Sequence, residues 1–98
     1  MAHYVILFHF SHQGIEHLKG SPDRIAALKT AAAKHKIKIK EFFCVMGQYD
    51  SMFIVDAPND EAVAQLSLTI GSQGNVRTET MRAFNEEEYR KLVAAATA

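Results

Sequence analysis

Cysteine is almost absent from this chain. Cys44 stands alone among 98 residues, so no intrachain disulfide can form and a reducing compartment is the natural setting. An excess of charge is missing too. Eleven basic residues balance eleven acidic ones, which removes the net basic face that nucleic acid requires and the pull of an anionic membrane surface. No apolar run approaches the roughly 18 residues needed to cross a bilayer. Met1 to Phe8 lacks the basic start and cleavage site of a secretory signal. These absences predict a cytoplasmic protein with no nucleic-acid or membrane partner. The usual chemical signatures are missing as well: there is no nucleotide fingerprint, no Ser–His–acid pattern, no CxxC and no HExxH. Gly71-Ser72-Gln73-Gly74 is too short for a phosphate loop and is followed by a strand pattern rather than a helix. No cofactor is predicted.

What is present organises well. The length fits one domain over residues 1–98, and 48% hydrophobic residues is ample for a globular fold. Tyr4 to Phe10, rich in aromatic and β-branched residues, predicts a first strand. Ile15 and Leu18 can anchor one helical turn in the polar stretch that follows. Ser21-Pro22-Asp23 then opens a helix with Ser21 as its cap, and Ile25, Leu28 and Ala32 form one buried stripe. A second strand starts half exposed at Ile37 and becomes apolar on both faces from Phe42. Gly47-Gln48-Tyr49-Asp50 reads as the tip of a β-hairpin, with Gly47 free to take positive φ. A third strand runs to Asp56. Asn59 or Asp60 caps a second helix whose inner face is Val63, Leu66 and Ile70. Val76 to Phe84 predicts a fourth strand. Asn85 to Glu88 makes a capping box for a short C-terminal helix, which buries Tyr89, Leu92 and Val93.

The order β-α-β-β-α-β plus a terminal helix predicts an α+β, ferredoxin-like antiparallel sheet with helices on one face. The other face then lacks cover. Tyr4, Ile6, Phe8 and Phe10 point to one side of the first strand and Val5 and Leu7 to the other, so the strand is apolar on both faces where a half-solvated sheet would alternate apolar and polar. Four strands at ~4.8 Å and five residues at ~3.4 Å give that face roughly 300 Å² in plan. At ~25 cal/mol per Å² its burial on two chains is worth on the order of 15 kcal/mol, against association costs of about 4–15. The sign favours a homodimer or higher homo-oligomer formed sheet to sheet.

Several segments carry a family resemblance. Gly47-Gln48-Tyr49-Asp50, the Ala57-Pro58-x-Asp60 turn, Gly71 to Thr80, and Arg82-Ala83-Phe84 with its acidic follow-on resemble the GYD domain family over nearly the whole chain. The resemblance implies a dimeric α+β barrel, two ferredoxin-like units joined by their open sheet faces. It implies no established chemistry.

Candidate site residues are few. The Tyr49 phenol can donate to a ligand carbonyl, and the Asp50 carboxylate can act as a base or orient an amine. Alternatively Asp50 accepts backbone N–H bonds that close the hairpin, with Tyr49 packed beside it. His9 sits on the Val5–Leu7 side of its strand; if that side faces the partner sheet, His9 lies at the rim of any space between sheets. His9, His12 and His17, with Glu16, offer metal-type side chains, but spacings of three and five fit no compact zinc motif, and no metal site is assigned. Arg77 and Arg82 on the fourth strand can hold an anion, or form solvated ion pairs. Cys44, in an apolar strand, reads as a core thiol. The leading ligand-binding candidates are thus His9, Tyr49, Asp50 and Arg82, with His12 and Arg77 secondary. The preferred reading is a non-catalytic homo-oligomer that binds a small apolar or anionic metabolite or serves as an interaction module. The alternative is a small barrel enzyme, an oxygenase or isomerase acting on an apolar or aromatic metabolite between sheets.

Overall fold

The computed structural model describes residues 1–98. Strands β1 (Ala2–Phe10), β2 (Lys38–Cys44), β3 (Ser51–Ala57) and β4 (Val76–Ala83) form one sheet in the order β2-β3-β1-β4, with every neighbouring pair antiparallel. Between them run α1 (His12–Glu16), α2 (Ser21–Lys34) and α3 (Asp60–Ser72), and α4 (Glu86–Ala96) follows β4. This is the ferredoxin-like plan. β1 and β3 are central, and β2 and β4 are edges.

Each helix has a local reason to start where it does. Asn59 caps α3 by accepting the Ala62 N–H at 2.9 Å, and Asn85 with Glu88 closes a complete capping box on α4. The start of α2 differs from expectation. Ser21 is already helical and caps nothing, because a 3-10 turn at Leu18–Gly20 runs directly into the helix and makes Gly20 the boundary residue. The end of α2 is a Schellman motif. Ile37 N–H bonds to the Ala32 carbonyl at 2.9 Å and Lys36 N–H to Ala33 at 3.0 Å, with Lys36 at φ 59° in the left-handed position. Ile37 is buried by this turn before β2 begins at Lys38.

The core lies on one sheet face. Tyr4, Ile6 and Phe8 of β1 and Phe53, Val55 and Ala57 of β3 meet Leu28 and Ala32 of α2 and Ala62, Val63 and Leu66 of α3. Phe53 is its centre, with the Phe8 and Phe42 rings each 4.9 Å away.

Several expected burials do not occur. Cys44 is exposed, because it is the last residue of an edge strand. Ile15 and Leu18 lie in the short helical segments at the periphery and are about half exposed. Tyr89, Leu92 and Val93 of α4 remain exposed as well. α4 makes only slight contact with the rest of the chain, and no residue of it is fully buried.

Candidate functional site

The hairpin loop between β2 and β3 is closed by Val45 N–H on the Asp50 carbonyl at 3.0 Å and turned by Gly47 at φ 108°. Asp50 N–H then bonds to the Phe8 carbonyl at 2.9 Å, which ties the loop to the end of β1. The two side chains that follow one another here diverge. Asp50 accepts the Phe10 N–H at 2.8 Å, on the helix side of the sheet. Tyr49 donates its hydroxyl to Glu79 of β4. Glu79 pairs in register with Leu7 and so belongs to the open face. The bond to that carboxylate, with burial second, pushes the Tyr49 phenol above its usual pKa. Neither group bonds within its own hairpin. Both stitch the loop to neighbouring strands.

His9 joins them. Its Nδ1–H donates to the Gln48 carbonyl at 2.9 Å, and the same nitrogen lies 4.0 Å from Asp50 Oδ2. The bond fixes the tautomer, so Nε2 is an acceptor in the neutral ring and a donor once the ring is protonated. Arg77 stands opposite His9 on β4, exposed. His9, Tyr49, Asp50 and Arg77 therefore share one end of the sheet. This end can hold a small anion between an imidazole and a guanidinium.

Arg82 is elsewhere. It pairs in register with Tyr4, five residues along β1 from His9, which is roughly 17 Å at ~3.4 Å per residue. The odd separation also places it on the opposite face. Its guanidinium bonds to the His3 and Ala83 carbonyls and lies 4.3 Å from the Phe84 ring centroid and 5.5 Å from that of Tyr4. Beneath it Tyr4 donates to Asp60, and burial, followed by that bond, pushes the Tyr4 phenol up. His12 is also apart, on α1, paired with Glu16 at 2.7 Å and largely in solvent. No group of three or more His, Cys, Asp or Glu side chains is placed to hold a metal ion.

Between the two ends lies the open face. Val5 and Leu7 of β1 stand between Ile54 and Met52 of β3 and Met81 and Glu79 of β4, and Phe43 of β2 continues the band. Phe43 is 48% and Met81 45% exposed. A second polar cluster closes the far end: His3 Nδ1 meets Asp56 at 2.5 Å, Lys40 lies 3.9 Å from Asp56, and Glu88 of α4 lies 3.5 Å from His3 Nε2. Sequence reasoning misses this cluster. The signal available was parity, since His3 falls in step with Val5, Leu7 and His9, and Asp56 with Met52 and Ile54.

Comparison with known proteins agrees with this architecture. A curated relative from Thermus thermophilus, named glutamine synthetase and cystathionine beta-lyase binding protein, is 27% identical over 85 residues, covering 86% of this chain and 90% of its own. A crystal structure of a Thermus thermophilus protein superposes with a TM-score of 0.56 at 26% identity, covering 87% of this chain and 95% of that one. The GYD domain family model matches residues 4–93. With the Gly47–Asp50 turn lying inside that match and the sheet in the expected order, the chain belongs to the GYD domain family.

Proposed function

We propose that this protein is a non-catalytic interaction module that pairs with a second copy of itself through the open sheet face. The observation that carries the reading is the band of Val5, Leu7, Phe43, Met52, Ile54 and Met81 on the face the helices leave bare. Packing it against an equivalent band withdraws apolar surface from water, at ~25 cal/mol per Å². The polar ends, His3–Asp56–Glu88 and His9–Arg77, form a rim suited to orientation more than to affinity. α4 is joined to this face through Glu88 and His3, and it carries Tyr89, Leu92 and Val93 exposed. The name of the Thermus relative, a binding protein for two enzymes, supports an interaction role. The internal bonding of Tyr49 and Asp50 supports a structural use for the pair that the sequence offers most readily to catalysis.

Sedimentation velocity at tens of micromolar tests this. The wild type is expected to run at twice the chain mass or more, and a Leu7→Glu, Ile54→Lys double variant at the mass of one chain with its circular dichroism unchanged. A wild type that sediments as a single chain removes the reading.

A further inference from the structure

A cavity of about 250 Å³ opens on the other side of the sheet, between α2, α3 and the ends of β1 and β2. Phe8, Phe42 and Phe53 form its floor, and Ile25, Leu28 and Ile70 its walls. An apolar cavity of about 150 Å³ is enough to take benzene, so this one has room for a one- or two-ring molecule. It is separate from the open face, because its strand residues have the opposite parity to Val5, Leu7, Met52 and Ile54.

One charged group on its lining lacks a counter-ion. Arg24, half buried, donates Nη1 to the His17 carbonyl at 2.8 Å and Nη2 to the Gly14 carbonyl at 3.5 Å. The ion pairs of this chain use His3, His9, His12, Lys40 and Arg90 as their basic partners, and no carboxylate reaches Arg24. A guanidinium has five donors in a planar fork that matches a carboxylate. The other ionised group on the lining, Asp50, is already committed to the Phe10 N–H and stands beside His9.

We propose that this cavity binds a small aromatic carboxylate, with its ring on the Phe8, Phe42 and Phe53 floor and its carboxylate on Arg24. The site goes beyond the self-association proposed above and does not depend on it. Because the ligand approaches from the helix side, it binds one chain or an assembly alike.

Three probes that share one ring system and differ in the charge of the C3 substituent provide the test: indole-3-acetate, indole and tryptamine, titrated into the ¹⁵N-labelled protein. Indole-3-acetate is expected to shift the amides of Ile25, Leu28 and Ile70 saturably and to bind at least tenfold more tightly than indole, with tryptamine weakest. Arg24→Gln is expected to lower the affinity for indole-3-acetate to that for indole and to leave indole unchanged. Cys44 also lines the cavity and reports on the unmodified protein, since saturating indole-3-acetate should slow its alkylation by iodoacetamide several-fold. Tightest binding by tryptamine, shifts confined to Val5, Leu7 and Met52, no saturable shift, or an unchanged alkylation rate at saturation would each overturn the proposal.

Discussion

Gly14 is where a single added methyl group does most damage. It sits in α1, and a Cβ there would lie 2.0 Å from the Asn75 carbonyl oxygen, 3.0 Å from its carbonyl carbon and 3.1 Å from Phe10 Cδ1. Reaching ordinary contact requires a retreat of about 1.4 Å from backbone, which cannot rotate out of the way. That backbone is already held. Ser11 N–H bonds to the Asn75 carbonyl at 3.0 Å, Ser11 Oγ to Gly74 at 2.5 Å, and the Gln13 amide to Gln73 and Asn75 at 3.0 and 3.1 Å. Overpacking of this kind costs about 1–3 kcal/mol, and each hydrogen bond broken about 0.5–1.5 more. A Gly14→Ala loss of about 3 kcal/mol follows, which for a domain of this size lowers Tm by about 12–24 °C. Gly71→Ala is the matched control. It sits inside α3 with nothing within 4 Å of the added carbon, and is expected to stabilise by up to about 1 kcal/mol. Thermal melts followed by circular dichroism compare the two directly. If both variants melt within about 3 °C of the wild type, less than a 1 kcal/mol change would produce, α1 is not packed on the Asn75 backbone and the reasoning fails.

Asp50→Ala leaves the Phe10 N–H without its acceptor and removes one of the ties between the hairpin and β1, so urea unfolding should show a loss of about 1–3 kcal/mol. Lys36→Gly relieves a left-handed φ of 59° in the Schellman turn, and is expected to raise the urea midpoint by the equivalent of about 0.5–1 kcal/mol. At alkaline pH the tyrosines decide the sign. Tyr4, through burial first and its Asp60 bond second, and Tyr49, through Glu79, both have folded pKa values raised above 10.0. The folded chain therefore keeps protons that the unfolded chain has released. Their contribution is complete below about pH 10 and is lost as pH rises through the folded values. The urea midpoint should fall as pH rises from about 9 to about 11, and less steeply in Tyr4→Phe.

The architecture was readable because its signals are local. Strand alternation, the Asn59 and Asn85 caps and the Gly47 turn each depend on a few adjacent residues, and together they dictate the element order. What could not be read depends on register. Arg82 looks like a partner for His9 in one dimension, yet pairing it with Tyr4 sends it to the other face and the other end. Glu79 becomes the acceptor for Tyr49 only through contacts across the sheet. Cys44 sits in an apolar run that reads as core, but its strand is an edge and ends there. The same limit hid the cavity: its lining comes from both long helices and all four strands, and even α2, the largest contributor, supplies only six of its 19 residues.

The pleat makes the two surfaces separable one residue at a time. Leu7 belongs to the band proposed for pairing, and Phe8, its neighbour, to the cavity floor. Tyr49 reaches the open face through Glu79, while Asp50 lines the cavity. A substitution at Leu7 or Tyr49 should therefore act on assembly and spare small-molecule binding, and one at Arg24 should do the reverse. The division is not complete at the end of β1. There the Asp50 carboxylate, on the cavity side, lies 4.0 Å from Nδ1 of His9, on the open face. Any coupling between an occupied cavity and a paired sheet has its shortest route through that contact. It would require the Phe10 N–H bond to Asp50 to differ between the two states, because a ligand shifts an equilibrium only by the difference in its affinity for them.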